Sequence, residues 1–260
     1  MKQVLATIIN NSEVTPGVYR VELESAEFED AQPGQFVMVG CGEENLLRRP
    51  MSIHQLNNKA DRTELALLYK VVGRGTQWLS ERQVGEKLDL LAPLGNGFAI
   101  DPTSHNLLLL AGGIGIAPIY FLAQQAVKAG HSVRLILGAQ TARQLYPQKL
   151  LPPEIELVTV TEDGSAGRKG KLTDHWLEFT SSADQVFACG PVAMYQVMAR
   201  QISGLNHKPV YISLEVRMGC GLGICYSCTV KTRNGLKQVC TDGPVFELAD
   251  ILWGELGLSE

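Results

Sequence analysis

The sequence lacks the features that would give it a membrane or a nucleic acid as a partner. No apolar segment approaches the ~20 uninterrupted residues that a membrane-spanning helix needs. Residues 1–14 have neither the apolar core nor the small-residue cleavage site of a signal peptide. The formal net charge is -4, and no run of Lys and Arg alternates with aromatic residues, so the chain offers no basic field to a phosphate backbone. We therefore expect a cytoplasmic protein that binds neither membranes nor nucleic acids.

Charged residues are also scarce, at 19% of the chain, whereas apolar residues make up 45%. This balance is typical of a globular protein with a large core. The 260 residues exceed the ~100–150 of a usual single domain, so two or three compact units are expected.

The first predicted unit covers residues 1–99 and consists of short alternating segments. Apolar and polar residues alternate in 17–23 and 35–39, and Gly, Pro, Asn and Asp separate such segments. This pattern is typical of a small antiparallel barrel or sandwich.

The second predicted unit covers residues 100–208 and has the pattern of an α/β fold. Its predicted buried strands are 107–111, 133–137, 156–160 and 185–189. A helical segment, 118–128, follows the first of them. Buried strands that alternate with helices indicate a doubly wound parallel sheet, whose ligand crevice lies at the carboxyl ends of the strands.

The third predicted unit covers residues 209–260 and contains four of the six cysteines. Below about 40–50 residues a unit generally needs a staple such as a metal centre. The candidate ligands are Cys220, Cys225, Cys228 and Cys240. The first three have the spacing of plant-type ferredoxins, whose loop wraps a [2Fe–2S] cluster, and the glycines between them let such a loop curl closely. Cys41 and Cys189 stand apart.

A structural zinc site is the alternative for these cysteines, because four thiolates also satisfy tetrahedral Zn²⁺. Zinc sites more often pair two short Cys-x-x-Cys hooks, and only Cys225 and Cys228 form one here, so the spacing favours the cluster. A Rieske cluster is excluded because it needs two histidine ligands, and residues 209–260 contain no histidine.

Two segments of the first unit have residue types that suit a flavin dinucleotide. A diphosphate needs a cation and a hydroxyl donor, and a flavin ring needs a platform; Arg49, Ser52 and Tyr69 are of these types. By residue type alone, an Arg at a strand end and a Tyr in the barrel core are the simpler explanation.

Two turns of the second unit follow predicted buried strands and suit a dinucleotide. Small residues after the strand 107–111 let a diphosphate approach the N-terminus of the next helix, and a Cys-Gly-Pro turn follows the strand 185–189. The expected contact residues are Gly112, Gly113, Gly115, Pro118, Cys189, Gly190 and Pro191.

The order of these motifs, an R-P-x-S segment, then a G-G-x-G turn, then C-G-P, resembles the ferredoxin-NADP reductase superfamily over nearly the whole chain. With its Cys-rich end, the sequence also resembles the electron-transfer subunits of NAD-dependent dihydroorotate dehydrogenases of pyrimidine biosynthesis. The resemblance implies an N-terminal antiparallel β-barrel for FAD, a central doubly wound α/β unit for NAD and a C-terminal small β-rich [2Fe–2S] domain with four Cys ligands. It implies FAD contacts at Arg49, Pro50, Met51, Ser52, Leu68, Tyr69, Lys70, Gly75 and Thr76.

The resemblance also implies a division of labour between two proteins. A separate catalytic subunit with FMN oxidises dihydroorotate, and its electrons pass through the [2Fe–2S] cluster and FAD to NAD, in a heterotetramer of two of each subunit. A flavin stands between cluster and nicotinamide because a cluster carries single electrons, whereas nicotinamide accepts a hydride. Cys189 lies near the expected nicotinamide position, where it either orients that ring or is a buried small hydrophobe.

Two other functions remain open. The small subunit of an NADPH:ferredoxin oxidoreductase, or of a sulfide dehydrogenase or sulfhydrogenase, has similar parts. NADP requires cations after the second strand of the nucleotide unit, where residues 138–143 include only Arg143, so the sequence favours NAD. The alternative from another class is a non-catalytic binding module stabilised by zinc.

Overall fold

The computed structural model describes residues 1–28, 30–202 and 208–255. The strands of the first predicted unit are β1 (Lys2–Thr15), β2 (Val18–Ser25), β3 (Phe36–Val39), β4 (Arg49–Asn58), β5 (Thr63–Lys70) and β6 (Lys87–Leu94). The later strands are β7 (Asn106–Gly112), β8 (Ser132–Ala139), β9 (Glu156–Thr161), β10 (Arg168–Lys169), β11 (Gln185–Cys189), β12 (Val210–Ser213), β13 (Thr229–Thr232), β14 (Gly235–Gln238) and β15 (Val245–Glu247). The α-helices are α1 (Arg74–Ser80), α2 (Ile116–Lys128) and α3 (Val192–Gln201). None of the helices in these ranges is long and apolar enough to cross a bilayer.

The first six strands form a closed antiparallel barrel in the order β1-β2-β5-β4-β3-β6. Alternate residues of each strand point inward, as the fully buried Val4, Ala6 and Ile8 do on β1. The predicted barrel is therefore confirmed. Closure leaves no free edge strand, so the barrel meets the rest of the chain through outward-facing side chains.

A seven-stranded sheet follows, in the order β10-β9-β8-β7-β11-β12-β15, and only the last pair, β12 with β15, is antiparallel. The central strand β7 is buried on both faces: Leu107 and Leu109 pack in the same apolar cluster as α2, whereas Leu108 and Leu110 pack with Tyr195 of α3. Burial on both faces explains the continuous leucine run, and the predicted parallel sheet is confirmed.

Helix α2 begins at Ile116, two residues before the predicted start at 118. Gly115 is its N-cap, and Pro118 falls in the first turn, where the missing N–H has no intrahelical acceptor. The helix thus starts immediately after the glycine turn that ends β7.

The third predicted unit contributes the hairpin β13–β14, and its other strands join the preceding sheet. Strand β12 pairs with β11, and β15 pairs with β12. Strands from both sides of residue 208 therefore share one sheet. The unit boundaries at 99 and 208 remain predictions.

A buried histidine links the barrel to α2. His54 lies at a bulge of β4, where two residues face one on β5, and it is fully buried. Its Nδ1 lies 3.0 Å from the carbonyl O of Ala117 and its Nε2 lies 3.1 Å from the hydroxyl of Tyr146, while its ring stacks on Tyr120 at 4.4 Å. Burial lowers the pKa of His54 to about 3. The neutral ring therefore donates to Ala117 and accepts from Tyr146, which fixes the barrel against the sheet.

Candidate functional site

A cavity of about 560 Å³ lies between the barrel and the carboxyl ends of the parallel strands. The barrel contributes Val18, Leu68 and Lys70 to its wall. The sheet contributes Gly112, Gly113, Gly138, Gly190 and Pro191. A cleft at this edge of a parallel sheet, with small residues on its floor, is the expected place for a dinucleotide.

Two glycine turns pack tightly against each other beneath the cavity. A Cβ placed on Gly115 would lie 2.1 Å from the carbonyl O of Cys189, and one placed on Gly190 would lie 2.8 Å from the sulfur of Met194. Only glycine allows this approach, which brings the start of α2 beside the end of β11. The two motifs that the sequence presents separately thus form one floor.

The predicted nucleotide residues divide into two sets. Gly112, Gly113, Gly190 and Pro191 line the cavity. Among the described residues, the cavity lining does not include Gly115, Pro118 or Cys189. These three residues belong to the packing beneath the cavity floor. Direct contact with a nucleotide therefore falls to the first set.

The thiol of Cys189 is buried and lies 3.6 Å from the carbonyl O of Ser213. Burial, and next the charge of Glu215, raise the pKa of Cys189 to about 12. The hydroxyl of the fully buried Tyr195 donates to the same carbonyl at 2.7 Å and accepts from the N–H of Gly190 at 2.9 Å. Cys189 is therefore a neutral thiol in a network that supports the Gly190 turn.

The cavity is also lined by two carboxylates that were not predicted, those of Glu162 and Glu215. The side chain of Glu215 is exposed toward the cavity. Desolvation by the surrounding protein nevertheless raises the pKa of its carboxyl above the ordinary value. Each follows a strand, β9 or β12, at its carboxyl end. Because ligands bind at the carboxyl ends of parallel strands, the position of these residues after a strand could have indicated them. No sequence motif marks either residue.

The guanidinium of Arg49, at the start of β4, lies over the first turn of α1. A Cβ on Gly75 would lie 2.9 Å from Nε of Arg49, so the glycine makes room for the side chain. The hydroxyl of Thr76 accepts from the N–H of Val72 at 2.9 Å and of Gly73 at 3.2 Å. A cation beside a helix N-terminus is an arrangement that suits a diphosphate.

The remaining predicted flavin residues alternate between the two sides of the barrel wall. Met51 and Tyr69 are buried in the barrel core, and the hydroxyl of Tyr69 donates to Asn11 at 3.1 Å. Pro50 and Ser52 are only half-buried, and Leu68 and Lys70 line the cavity. The Tyr69 ring, expected as a platform for a flavin, thus packs inside the barrel, which leaves its main chain for a ligand contact.

The four clustered cysteines belong to one loop region, where the N–H of Gly223 bonds Sγ of Cys240 and Sγ of Cys225 lies 3.1 Å from the Ser227 hydroxyl. Cys225 is exposed, whereas Cys228 and Cys240 are buried. Hydrogen bonding to Ser227 lowers the pKa of Cys225, and burial raises the pKa of Cys240. Metal ligation requires all four as thiolates, so metal binding here would release protons.

The loop that carries these cysteines points backbone N–H groups at sulfur. The N–H of Leu222 lies 3.3 Å from Sγ of Cys220, and that of Gly223 lies 3.2 Å from Sγ of Cys240. Gly221 and Gly223 have φ of 74° and 77°, a region that favours glycine. The glycines between the cysteines therefore give the curl that aims these donors.

The donor set fits a two-iron cluster better than a single zinc ion. A [2Fe–2S] cluster takes four thiolates, and the first three cysteines here have the spacing of plant-type ferredoxins. Only Cys225 and Cys228 form the short Cys-x-x-Cys hook that zinc sites more often use twice.

Comparisons with known proteins agree with this geometry. A family model described as the iron-sulfur cluster binding domain of dihydroorotate dehydrogenase B matches residues 215–252. A second model, the oxidoreductase NAD-binding domain, matches residues 109–200. The two matched segments contain the four clustered cysteines and the two glycine turns, respectively.

Curated relatives extend the similarity to nearly the full length. The dihydroorotate dehydrogenase B (NAD(+)) electron transfer subunit of Geobacillus sp. (strain WCH70) is 39% identical, with 97% of this chain and 99% of the relative covered. The protein of the same name from Desulforamulus reducens is 38% identical, with 92% and 94% covered.

Solved structures share the fold. An NADH-dependent reduced ferredoxin-NADP oxidoreductase superimposes with a TM-score of 0.87 at 30% identity, covering 97% of this chain and 91% of that one. A ferredoxin NADP+ reductase from Neisseria gonorrhoeae superimposes with a TM-score of 0.63 at 21% identity, covering 79% and 92%, and supports the fold alone.

Proposed function

Because this chain belongs to the family of dihydroorotate dehydrogenase B electron transfer subunits, we propose that it passes electrons from a partner subunit to NAD⁺ through a [2Fe–2S] cluster and FAD. The observation that carries the proposal is the presence, in one chain, of four clustered cysteines with backbone N–H groups aimed at their sulfurs and of a dinucleotide cavity bordered by a barrel with a diphosphate-type site. A zinc-stabilised binding module has no use for that cavity. The chain is thus an oxidoreductase subunit rather than a structural module.

The bound groups supply single-electron transfer at the cluster and conversion to a hydride at the flavin. Cys220, Cys225, Cys228 and Cys240 would hold the cluster. The N–H groups of Leu222 and Gly223, already aimed at sulfur, would stabilise the negative charge of these ligands.

Arg49 would neutralise the diphosphate of a bound FAD, and the first-turn N–H groups of α1 near Gly75 and Thr76 would donate to it. The outward faces of β4 and β5 would hold the rest of the flavin, with Pro50 and Ser52 on β4 and Leu68 and Lys70 on β5. Met51 and Tyr69 would contact it through their main chain, since their side chains fill the barrel.

NAD⁺ enters the cavity over Gly112, Gly113, Gly190 and Pro191. Glu162 faces the same space, and a carboxylate there accepts a hydrogen bond from a ribose 2′-hydroxyl but repels the 2′-phosphate of NADP. Arg143, the cation considered for NADP, lies exposed and outside the cavity lining among the described residues. Lys171 also lines the cavity, so the preference for NAD rests on the position of Glu162 and on the NAD(+) relatives.

The partner is a catalytic subunit with FMN, in a heterotetramer of two of each chain. Ile224 and Tyr226 flank the exposed Cys225 and are 73% and 69% exposed. Large apolar side chains at such exposure beside a redox centre suit a protein contact that excludes water. None of the six cysteines forms a disulfide, which suits the reducing cytoplasm.

The purified chain tests this proposal directly. It should show flavin and iron–sulfur absorbance, contain two irons per chain and lose flavin colour on anaerobic addition of NADH. Cys228→Ser should lose iron while NADH still reduces the flavin, because the cavity does not involve this residue. Cys41→Ser, a change at a buried thiol outside the cysteine cluster, is the matched control and should keep the iron. A colourless protein that contains zinc would overturn the proposal.

A further inference from the structure

The turn that ends barrel strand β6 is bonded to the loop that follows Cys240. The side-chain Nδ2 of Asn96 donates to the carbonyl O of Asp242 at 3.1 Å and lies 3.3 Å from that of Thr241. The backbone N–H of Asn96 donates to the carbonyl O of Gly243 at 2.6 Å. One barrel residue therefore bonds three consecutive carbonyls immediately after a cluster ligand.

Close packing supports the same attachment. A Cβ on Gly95 would lie 2.6 Å from Cδ of Pro244. On the other arm of the cysteine loop, a Cβ on Gly221 would lie 2.7 Å from Cγ of Met38 on β3. Both arms of the loop, the one near Cys220 and the one after Cys240, thus rest on the barrel.

The barrel wall at this point is shared with the predicted flavin site. Phe36 and Met38 of β3 face outward and belong to the same apolar cluster as Cys228 and Cys240. Phe36 is also the register partner of Ser52 on β4. A single strand thus lies between a candidate flavin contact and two candidate cluster ligands.

We propose that Asn96 is a positioning residue that holds the Cys240 arm of the cluster loop against the flavin barrel and so sets the rate of electron transfer between FAD and the cluster. The proposal rests on the proposed function, since it requires both groups. Cys240 accepts the N–H of Gly223 through its sulfur, so movement of this arm displaces a ligand that the opposite arm also contacts. The Asn96 side chain is exposed, which means that its amide acts through these hydrogen bonds rather than through core packing.

The test compares Asn96→Ala and Asn96→Asp holoproteins with wild type by anaerobic stopped-flow absorbance with NADH and by hydrogen exchange. Asp has the size of Asn but cannot donate to the two carbonyls. Asn58→Ala is the matched control, because the Asn58 amide bonds Asp30 on the exposed barrel surface. Iron content and the flavin spectrum are measured for every protein.

Both Asn96 variants should keep their iron and the wild-type rate of flavin reduction by NADH, while the later reduction of the cluster slows severalfold. The amides of Thr241 and Asp242 should exchange at least about fivefold faster, the effect of one lost hydrogen bond on a local opening equilibrium. Asn58→Ala should match wild type in both measurements.

Cluster reduction at the wild-type rate in both variants, or an equal slowing of flavin and cluster reduction, would overturn the positioning role. If Asn96→Ala does not yield folded protein, Asn96→Asp decides the question in the same assays, since it keeps the size of the side chain but removes the donor. Failure of the proposed function would look different, because the wild-type protein itself would then lack iron or show no flavin reduction by NADH.

Discussion

Replacement of His54 by phenylalanine should remove a specific part of the acid sensitivity of this protein. The wild-type ring is buried between barrel and sheet with both nitrogens bonded to protein, and its pKa is lowered to about 3 by burial. In the unfolded chain a histidine titrates near pH 6.5. Between these two values the unfolded state binds a proton that the native state does not, so stability falls as pH falls.

The magnitude follows from the two pKa values of His54. Well above pH 6.5 both states are neutral there, and the residue adds no pH dependence. From pH 7.5 to pH 5.5 the linkage amounts to a loss of about 1.4 kcal/mol of unfolding free energy. For a chain of this size, that corresponds to a fall of about 3–6 °C in Tm.

The assay is thermal unfolding of the holoprotein at both pH values for wild type and His54→Phe. The variant should have a lower Tm at pH 7.5, because Ala117 and Tyr146 lose a partner at about 1–3 kcal/mol each. Its further fall on acidification should be smaller than that of wild type by the 3–6 °C above. His105→Asn, a change at an exposed histidine, should keep the wild-type fall. An unchanged pH dependence in His54→Phe would refute this reasoning.

Three further variants test the site. Arg49→Ala should reduce FAD content, measured as flavin absorbance per chain, because it leaves the diphosphate without its cation. Arg48→Ala should keep the wild-type FAD content, because Arg48 is paired with Asp89 at 2.5 Å. Gly115→Ala should destabilise the fold by about 3 kcal/mol, seen as a lower Tm, because its Cβ would lie 2.1 Å from a backbone oxygen; a wild-type Tm would contradict the packing. Glu162→Lys should shift the kcat/KM ratio of NADPH to NADH upward by about tenfold or more, and an unchanged ratio would remove this residue from the ribose site.

The parts of the fold that were predicted correctly are those with a local cause. Strands β7, β8, β9 and β11 lie where the sequence predicts them, because burial on both faces leaves a continuous apolar run. The cysteine spacing and its glycines predict a curled loop, and positive φ angles at Gly221 and Gly223 match that expectation.

The features that were not predicted depend on contacts between distant segments. His54 reads as an ordinary strand residue, and only the bulge in β4 turns it toward α2. Alternation along β5 places the Tyr69 ring inside the barrel, but the sequence does not say which face is inside. Glu215 and Asn96 acquire their surroundings from strand pairing and loop contacts far along the chain.

The most direct test of the proposed electron route is anaerobic stopped-flow absorbance of the chain with dihydroorotate, before and after addition of the FMN-bearing catalytic subunit. The account predicts that NADH alone bleaches the flavin and the cluster, and that dihydroorotate bleaches them only when the partner is present. Bleaching by NADH but never by dihydroorotate with the partner would contradict the assignment to dihydroorotate oxidation.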